Sequence, residues 1–151
     1  MSTSTLSAAG LEPRALAEAC AAAMWSGDAT SQRLGMRIDR IAPGEATLSM
    51  EVTDLMLNGH GLAHGGFVFA LADSAFAFAC NGYNQRTVGH QAAITYMAPG
   101  RLGDRLTAVA RELYRGKRDG LYDVHVTNQR GEQVAEFRGH SRTVKGTHLP
   151  E

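Results

Sequence analysis

The chain has 151 residues and a mass of 16.2 kDa, which is room for one domain and excludes a separate cofactor domain. Hydrophobic residues make up 44% and charged residues 20%, the balance of a globular domain with a packed core. Fifteen Lys+Arg balance fifteen Asp+Glu, so the net charge is zero, and neither a basic field for nucleic acid nor an acidic tail is present.

In chain order, residues 1–10 are rich in Ser, Thr and Ala and are expected to be disordered. Pro13 can open a helix and Gly27 can close it, with an alanine-rich run between them. That stretch carries Glu18 and lacks a basic leader, so it reads as an amphipathic helix and not as a signal peptide, and the cytoplasm is the expected location. No apolar run reaches the length of a membrane span. Cys20 and Cys80 both lie in helix-like sequence and fit two buried, reduced thiols.

Leu34, Met36 and Ile38 alternate with other residues, as do Ala46, Leu48, Met50 and Val52; Pro43-Gly44 between them predicts a hairpin. Residues 53–64 read as a loop. From Gly65 to Cys80 the chain is apolar on every side, which predicts a fully buried helix stopped by Asn81-Gly82. Strands follow over 87–97, 105–115, 121–127 and 133–144, with Asp119-Gly120 as a turn. The expected fold is α+β, five to six antiparallel strands with one long helix, in a single domain over 11–145 and a flexible tail over 146–151. One sheet face cannot cover a helix on all sides, so a second copy of the chain is expected to complete the burial.

Asp73 stands alone among apolar neighbours of that helix, where a carboxylate is costly unless partnered. A buried Asp satisfied by a distant donor would be structural; a carboxylate in a cleft would be a base or nucleophile. His64-Gly65-Gly66 stands where the helix begins. Helix N-termini expose free N–H groups, so the Gly65 amide is a candidate oxyanion donor, against the plainer reading of a tight turn. Eight residues of helix separate Gly65 from Asp73 by about 12 Å, too far for one carbonyl to meet both. Two antiparallel helices from two chains would bring them together.

The ordered segments Met56-Leu57-Asn58-Gly59-His60, His64-Gly65-Gly66 and Leu71-Ala72-Asp73-Ser74-Ala75-Phe76-Ala77 resemble the hotdog-fold acyl-CoA thioesterases, closest to the phenylacetate-degradation branch. The resemblance continues through Tyr122-Asp123-Val124 and Phe137-Arg138-Gly139 and covers residues 30–145. It implies a long central helix wrapped by a curved antiparallel sheet, an active homodimer and a homotetramer. It implies hydrolysis of an acyl-CoA with an aromatic acyl group, such as phenylacetyl-CoA or hydroxyphenylacetyl-CoA, to free acid and CoA. Asp73 would be base or nucleophile and the Gly65 amide the oxyanion donor. Asn58, His64, Gly66 and Ser74 would bind substrate, with no metal, no cofactor beyond the substrate's own coenzyme A, and no nucleic-acid or membrane partner.

Two departures stand out. The branch carries Arg-Pro-Gly after the first strand beyond the helix; here the residues are Ala98-Pro99-Gly100, with Arg101 beyond them, and His140 replaces a Lys. Coenzyme phosphates would then fall to Arg111, Arg115, Lys117, Arg118, Arg138 or Arg142, a set that also fits a solvated strand surface. The competing functions are an enoyl-thioester dehydratase or hydratase of the same fold and a non-catalytic acyl-CoA-binding protein. A metal site built from His60, His64, Asp73 and His90 is disfavoured by the loop-forming glycines 59 and 61.

Overall fold

The computed structural model describes residues 7–151. Helix α1 spans Pro13–Trp25 and a short α2 spans Ala29–Arg33. Strands β1 (Arg37–Ala42) and β2 (Glu45–Glu51) form the expected hairpin. A 3-10 turn, Asp54–Met56, precedes the long helix α3, Gly65–Cys80. Strands β3 (Thr87–Tyr96), β4 (Arg105–Arg115), β5 (Asp119–Thr127) and β6 (Gln133–Thr143) complete one antiparallel sheet in the order β1-β2-β4-β5-β6-β3. The sheet curves around α3, which touches all six strands. This is the hotdog arrangement.

The core lies between α3 and the inner sheet face. Leu71, Ala75, Phe76 and Phe78 of the helix meet Leu48, Leu106, Val124 and Phe137 of the strands. Phe76 is the central knob: its ring lies 5.5 Å from Tyr122 and 5.8 Å from Phe137. It reaches the sheet at Gly139, where a Cβ would stand 2.8 Å from the ring. Glycine there lets the helix sit close to the strands.

Within one chain α3 is not covered all round, as expected of a helix on one sheet face: Gly66 and Asp73 are exposed and Ala70 and Ala77 half-buried, which leaves an open stripe of small residues. Several other expectations are corrected. Residues 29–33 form a helix because Asp28 caps it: the Ser31 N–H donates to Asp28 Oδ1 at 2.9 Å and the Ser31 hydroxyl to Asp28 Oδ2 at 2.6 Å. β1 therefore starts after Met36. Asp119-Gly120 is not a turn but the start of β5, since Gly120 pairs with both Arg115 and Ser141.

The segment 146–151 is not a free tail. Buried Asn84 needs partners, and it accepts from the N–H groups of His148 and Leu149 at 3.0 and 2.9 Å and donates to the Leu149 carbonyl at 3.2 Å. Of the N-terminal stretch expected to be disordered, residues 1–6 lie outside the described residues, and the Ala8 N–H donates to the Pro150 carbonyl at 2.9 Å. Among the described residues no helix is long and apolar enough to cross a membrane.

Candidate active site

The loop before α3 is shaped by Asn58. Its Oδ1 accepts from the N–H groups of His60 and Leu62 at 2.9 and 3.2 Å, and its own N–H donates to the Leu62 carbonyl at 2.7 Å. An asparagine that caps its own turn in this way fixes a tight loop. The Ala63 N–H donates to the Gly100 carbonyl at 2.8 Å, and the His64 N–H to the Met56 carbonyl at 2.7 Å. With Oδ1 committed to the loop, Asn58 Nδ2 keeps its two donors unpaired among the described residues.

His64 is the N-cap of α3, with extended backbone at φ −62° and ψ 133°. Its Nδ1 accepts from the Gly66 N–H at 2.9 Å. An accepting Nδ1 leaves the ring proton on Nε2, a donor free to meet a ligand. Phe67 and Val68 donate to the His64 carbonyl at 3.0 and 3.4 Å. The Gly65 N–H has no acceptor among the described residues. It is the open donor at the positive end of a 16-residue helix dipole.

Asn58, Gly65, Tyr96, Met97 and Pro99 line one open groove of about 410 Å³. Tyr96 was not singled out by sequence reasoning. Its hydroxyl donates to the Gly65 carbonyl at 2.8 Å across 31 positions of sequence, a contact that local pattern does not signal.

The other expected site residues lie elsewhere. Asp73 points from the open stripe of α3 and is not among the residues of that groove. Desolvation by neighbouring groups raises its carboxyl above the usual Asp range. Ser74, next to it, bonds the Ser31 hydroxyl at 3.2 Å and through it reaches Asp28. Of the expected set, the chain brings together Asn58, His64, Gly65 and Gly66; Asp73 and Ser74 sit about two turns further along the same helix.

The basic candidates are engaged in part elsewhere. Arg138 pairs with Asp123 at 2.6 Å and Arg142 with Asp119 at 3.2 Å, while the Arg115 guanidinium lies 3.8 Å over the Tyr83 ring. Phe76 and Phe78 are core, and Phe67 and Phe69 pack against it. His60 sits in the loop while His64 caps α3, so their spacing is not that of a helical metal pair.

A free amide at the N-terminus of the central helix, beside a groove in a hotdog fold, fits one class: the thioester hydrolases of that fold. Residues 60–135 match the thioesterase superfamily, and the chain belongs to it. It is 44% identical over 125 residues to the acyl-coenzyme A thioesterase PaaI of Escherichia coli K12, covering 83% of this chain and 89% of that one. The solved structure of the E. coli PaaI protein from the phenylacetic acid degradation operon superposes with a TM-score of 0.89 at 42% identity, over 90% of this chain and 99% of that one. A Streptococcus mutans protein solved bound to acetyl-CoA superposes with a TM-score of 0.72 at 29% identity, over 74% of this chain and 90% of that one.

Proposed function

We propose that this thioesterase hydrolyses an acyl-CoA whose acyl group is aromatic, phenylacetyl or hydroxyphenylacetyl, to the free acid and CoA. The observation that supports the reading is the separation of Gly65 from Asp73 on α3. Gly65 and Asn58 border one groove, and Asp73 stands on an open stripe about 12 Å along the axis. Packing two such helices antiparallel would set Asp73 of one copy against the groove of the other. The active unit is therefore a homodimer, and two dimers form a homotetramer. The relative's place in a phenylacetic acid operon and the acetyl-CoA in the streptococcal structure support the acyl group and the coenzyme.

In this reading the thioester carbonyl oxygen sits at the Gly65 N–H. Asp73 acts on the carbonyl carbon, either by taking a proton from the attacking water or by attacking itself to give an anhydride that water then opens. In both routes negative charge builds on the oxygen held by Gly65, the C–S bond breaks, and the CoA thiolate leaves and is protonated. Asn58 Nδ2 and His64 Nε2 orient the thioester, Gly66 holds the turn through His64, and Ser74 borders the carboxylate. A positioned base contributes about 10²–10⁴-fold and an oxyanion donor about 10²–10³-fold. A thioester is electrophilic enough for those two to suffice, without metal or separate cofactor. Balanced charge fits a small-molecule substrate, with no nucleic-acid or membrane partner, in the cytoplasm.

The test is free-thiol release from acetyl-, hexanoyl-, palmitoyl-, benzoyl-, phenylacetyl- and hydroxyphenylacetyl-CoA. Fast turnover of the arylacetyl substrates is expected. Turnover confined to straight chains would refute the acyl assignment. Hydration of an enoyl-CoA without thiol release would favour the dehydratase, and tight binding without turnover a binding protein.

A further inference from the structure

The Gly65–Gly66 peptide is held at both ends by side chains. Its N–H donates to His64 Nδ1 at 2.9 Å, and its carbonyl accepts the Tyr96 hydroxyl at 2.8 Å. Two consecutive glycines at the first turn of a helix have little intrinsic preference for one backbone direction, because each lacks the Cβ that restricts φ and ψ. The preceding peptide carries the free Gly65 N–H, so a rotation at Gly65 would swing that donor. The ring of Tyr96 also stands where a Gly65 side chain would begin: a Cβ there would lie 2.9 Å from Cζ and from the hydroxyl oxygen. Tyr96 itself is held in β3 by its pairing with Ala135 of β6.

We infer that Tyr96 is a positioning residue for the oxyanion site, fixing the direction of the Gly65 N–H through the Gly65 carbonyl. It is 50% exposed and lies outside the core cluster, so core packing does not account for its placement. Its hydroxyl does not reach the reacting atoms in this role. It acts through the peptide, with its ring as a stop and its O–H as a tether. Preorganised donors matter because they need no rearrangement as charge develops. Losing the tether should therefore weaken the transition state more than the bound substrate.

The inference rests on the thioesterase reading, and the experiment separates the two. Wild type, Tyr96→Phe, Gly65→Ala, Tyr96→Ala and the double variant Gly65→Ala/Tyr96→Ala are assayed for thiol release, with melting temperatures alongside. Tyr96→Phe keeps the ring and is expected to lower kcat about three- to tenfold, the size of one neutral hydrogen bond, with KM within about twofold and a melting temperature lowered by no more than about a few degrees. Gly65→Ala is expected to cost less in the Tyr96→Ala background than in wild type, because the ring no longer occupies the Cβ position. An unchanged kcat in Tyr96→Phe, a loss accounted for by partial unfolding at the assay temperature, or an equal Gly65→Ala cost in both backgrounds would overturn the role of Tyr96. Wild type inactive on every acyl-CoA would instead overturn the reading beneath it.

Discussion

The two faces of α3 are built to opposite rules. The inner face carries Leu71, Ala75, Phe76 and Phe78 and is closed by the chain's own sheet. The outer stripe carries Gly66, Ala70, Asp73 and Ala77, all small but for one carboxylate, and the described residues leave it open. Large side chains on the inner face stabilise the fold by burying apolar surface and filling space. Small ones on the outer stripe permit close approach of another backbone, and the single charge is the carboxylate proposed to act on the thioester. One helix thus holds the fold together with one side and, in the proposed mechanism, offers a reaction from the other.

The largest expected effect falls on the outer stripe. Asp73→Asn should lose about 10²–10⁴-fold in kcat/KM while folding normally, as steady-state kinetics and circular dichroism would show. Near-wild-type turnover would remove Asp73 from the chemistry. The inner face should respond in the other currency. Phe76→Ala is expected to cost about 3–5 kcal/mol of stability by denaturant titration, since the ring fills the cleft at Gly139 and the site lies elsewhere. A loss below 1 kcal/mol would mean that the core is not organised around that ring.

Gly65→Ala should follow, with a loss of about 10²-fold in kcat from a displaced amide. Ser74→Ala should be the smallest, about 0.5–1.5 kcal/mol in stability from the bond to Ser31, with activity changed only a few-fold. A collapse of activity in Ser74→Ala would give its hydroxyl a direct role in the reaction.

The raised Asp73 pKa sharpens the contrast further. Raising a carboxyl above its unfolded value means that the ionised form is the one the fold disfavours. The cost is absent below the unfolded pKa, grows as pH rises to the folded pKa, and is fully present above it. Asp73→Asn should therefore raise the melting temperature at neutral pH, and the gain should vanish in acid. In the wild type the acid limb of kcat/KM should lie above the ordinary Asp range, because the working form is the carboxylate. A limb in the ordinary range, or a mutant that melts lower at neutral pH, would contradict the desolvated carboxylate.

Much of this was legible in residue order. The bounds of α3, the β1–β2 hairpin and the β4 strand follow from hydrophobic patterning and turn residues. The candidate residues His64-Gly65-Gly66 and Asp73 stand out because a helix start and a lone carboxylate are local signals, while Asn58 enters through the family resemblance. Helix α2 does not stand out, because five residues without apolar periodicity declare themselves only through the Asp28–Ser31 cap. Asp119-Gly120 resembled a turn until strands on both sides paired with it. Tyr96 and the clasp of Asn84 on residues 148–149 are long-range contacts, made by the fold and absent from any local pattern. That some face of α3 stays open follows from its all-round apolar sequence; which residues form the open stripe does not, because alanine and glycine count as apolar whether or not anything covers them.

The central claim is that each site is shared between two chains, and subunit complementation tests it most directly. Asp73→Asn and Gly65→Pro chains would be purified separately, unfolded, and refolded together. Proline suits the first helical position, and the extended backbone of His64 before it is compatible. It removes the Gly65 N–H, at the cost of a shift in the exposed Tyr96 ring. Each parent should be nearly inactive. In a one-to-one mixture half the dimers are hybrids with one intact site of two, so activity should recover to about one quarter of wild type. No recovery from hybrids verified as folded and mixed would contradict the shared site.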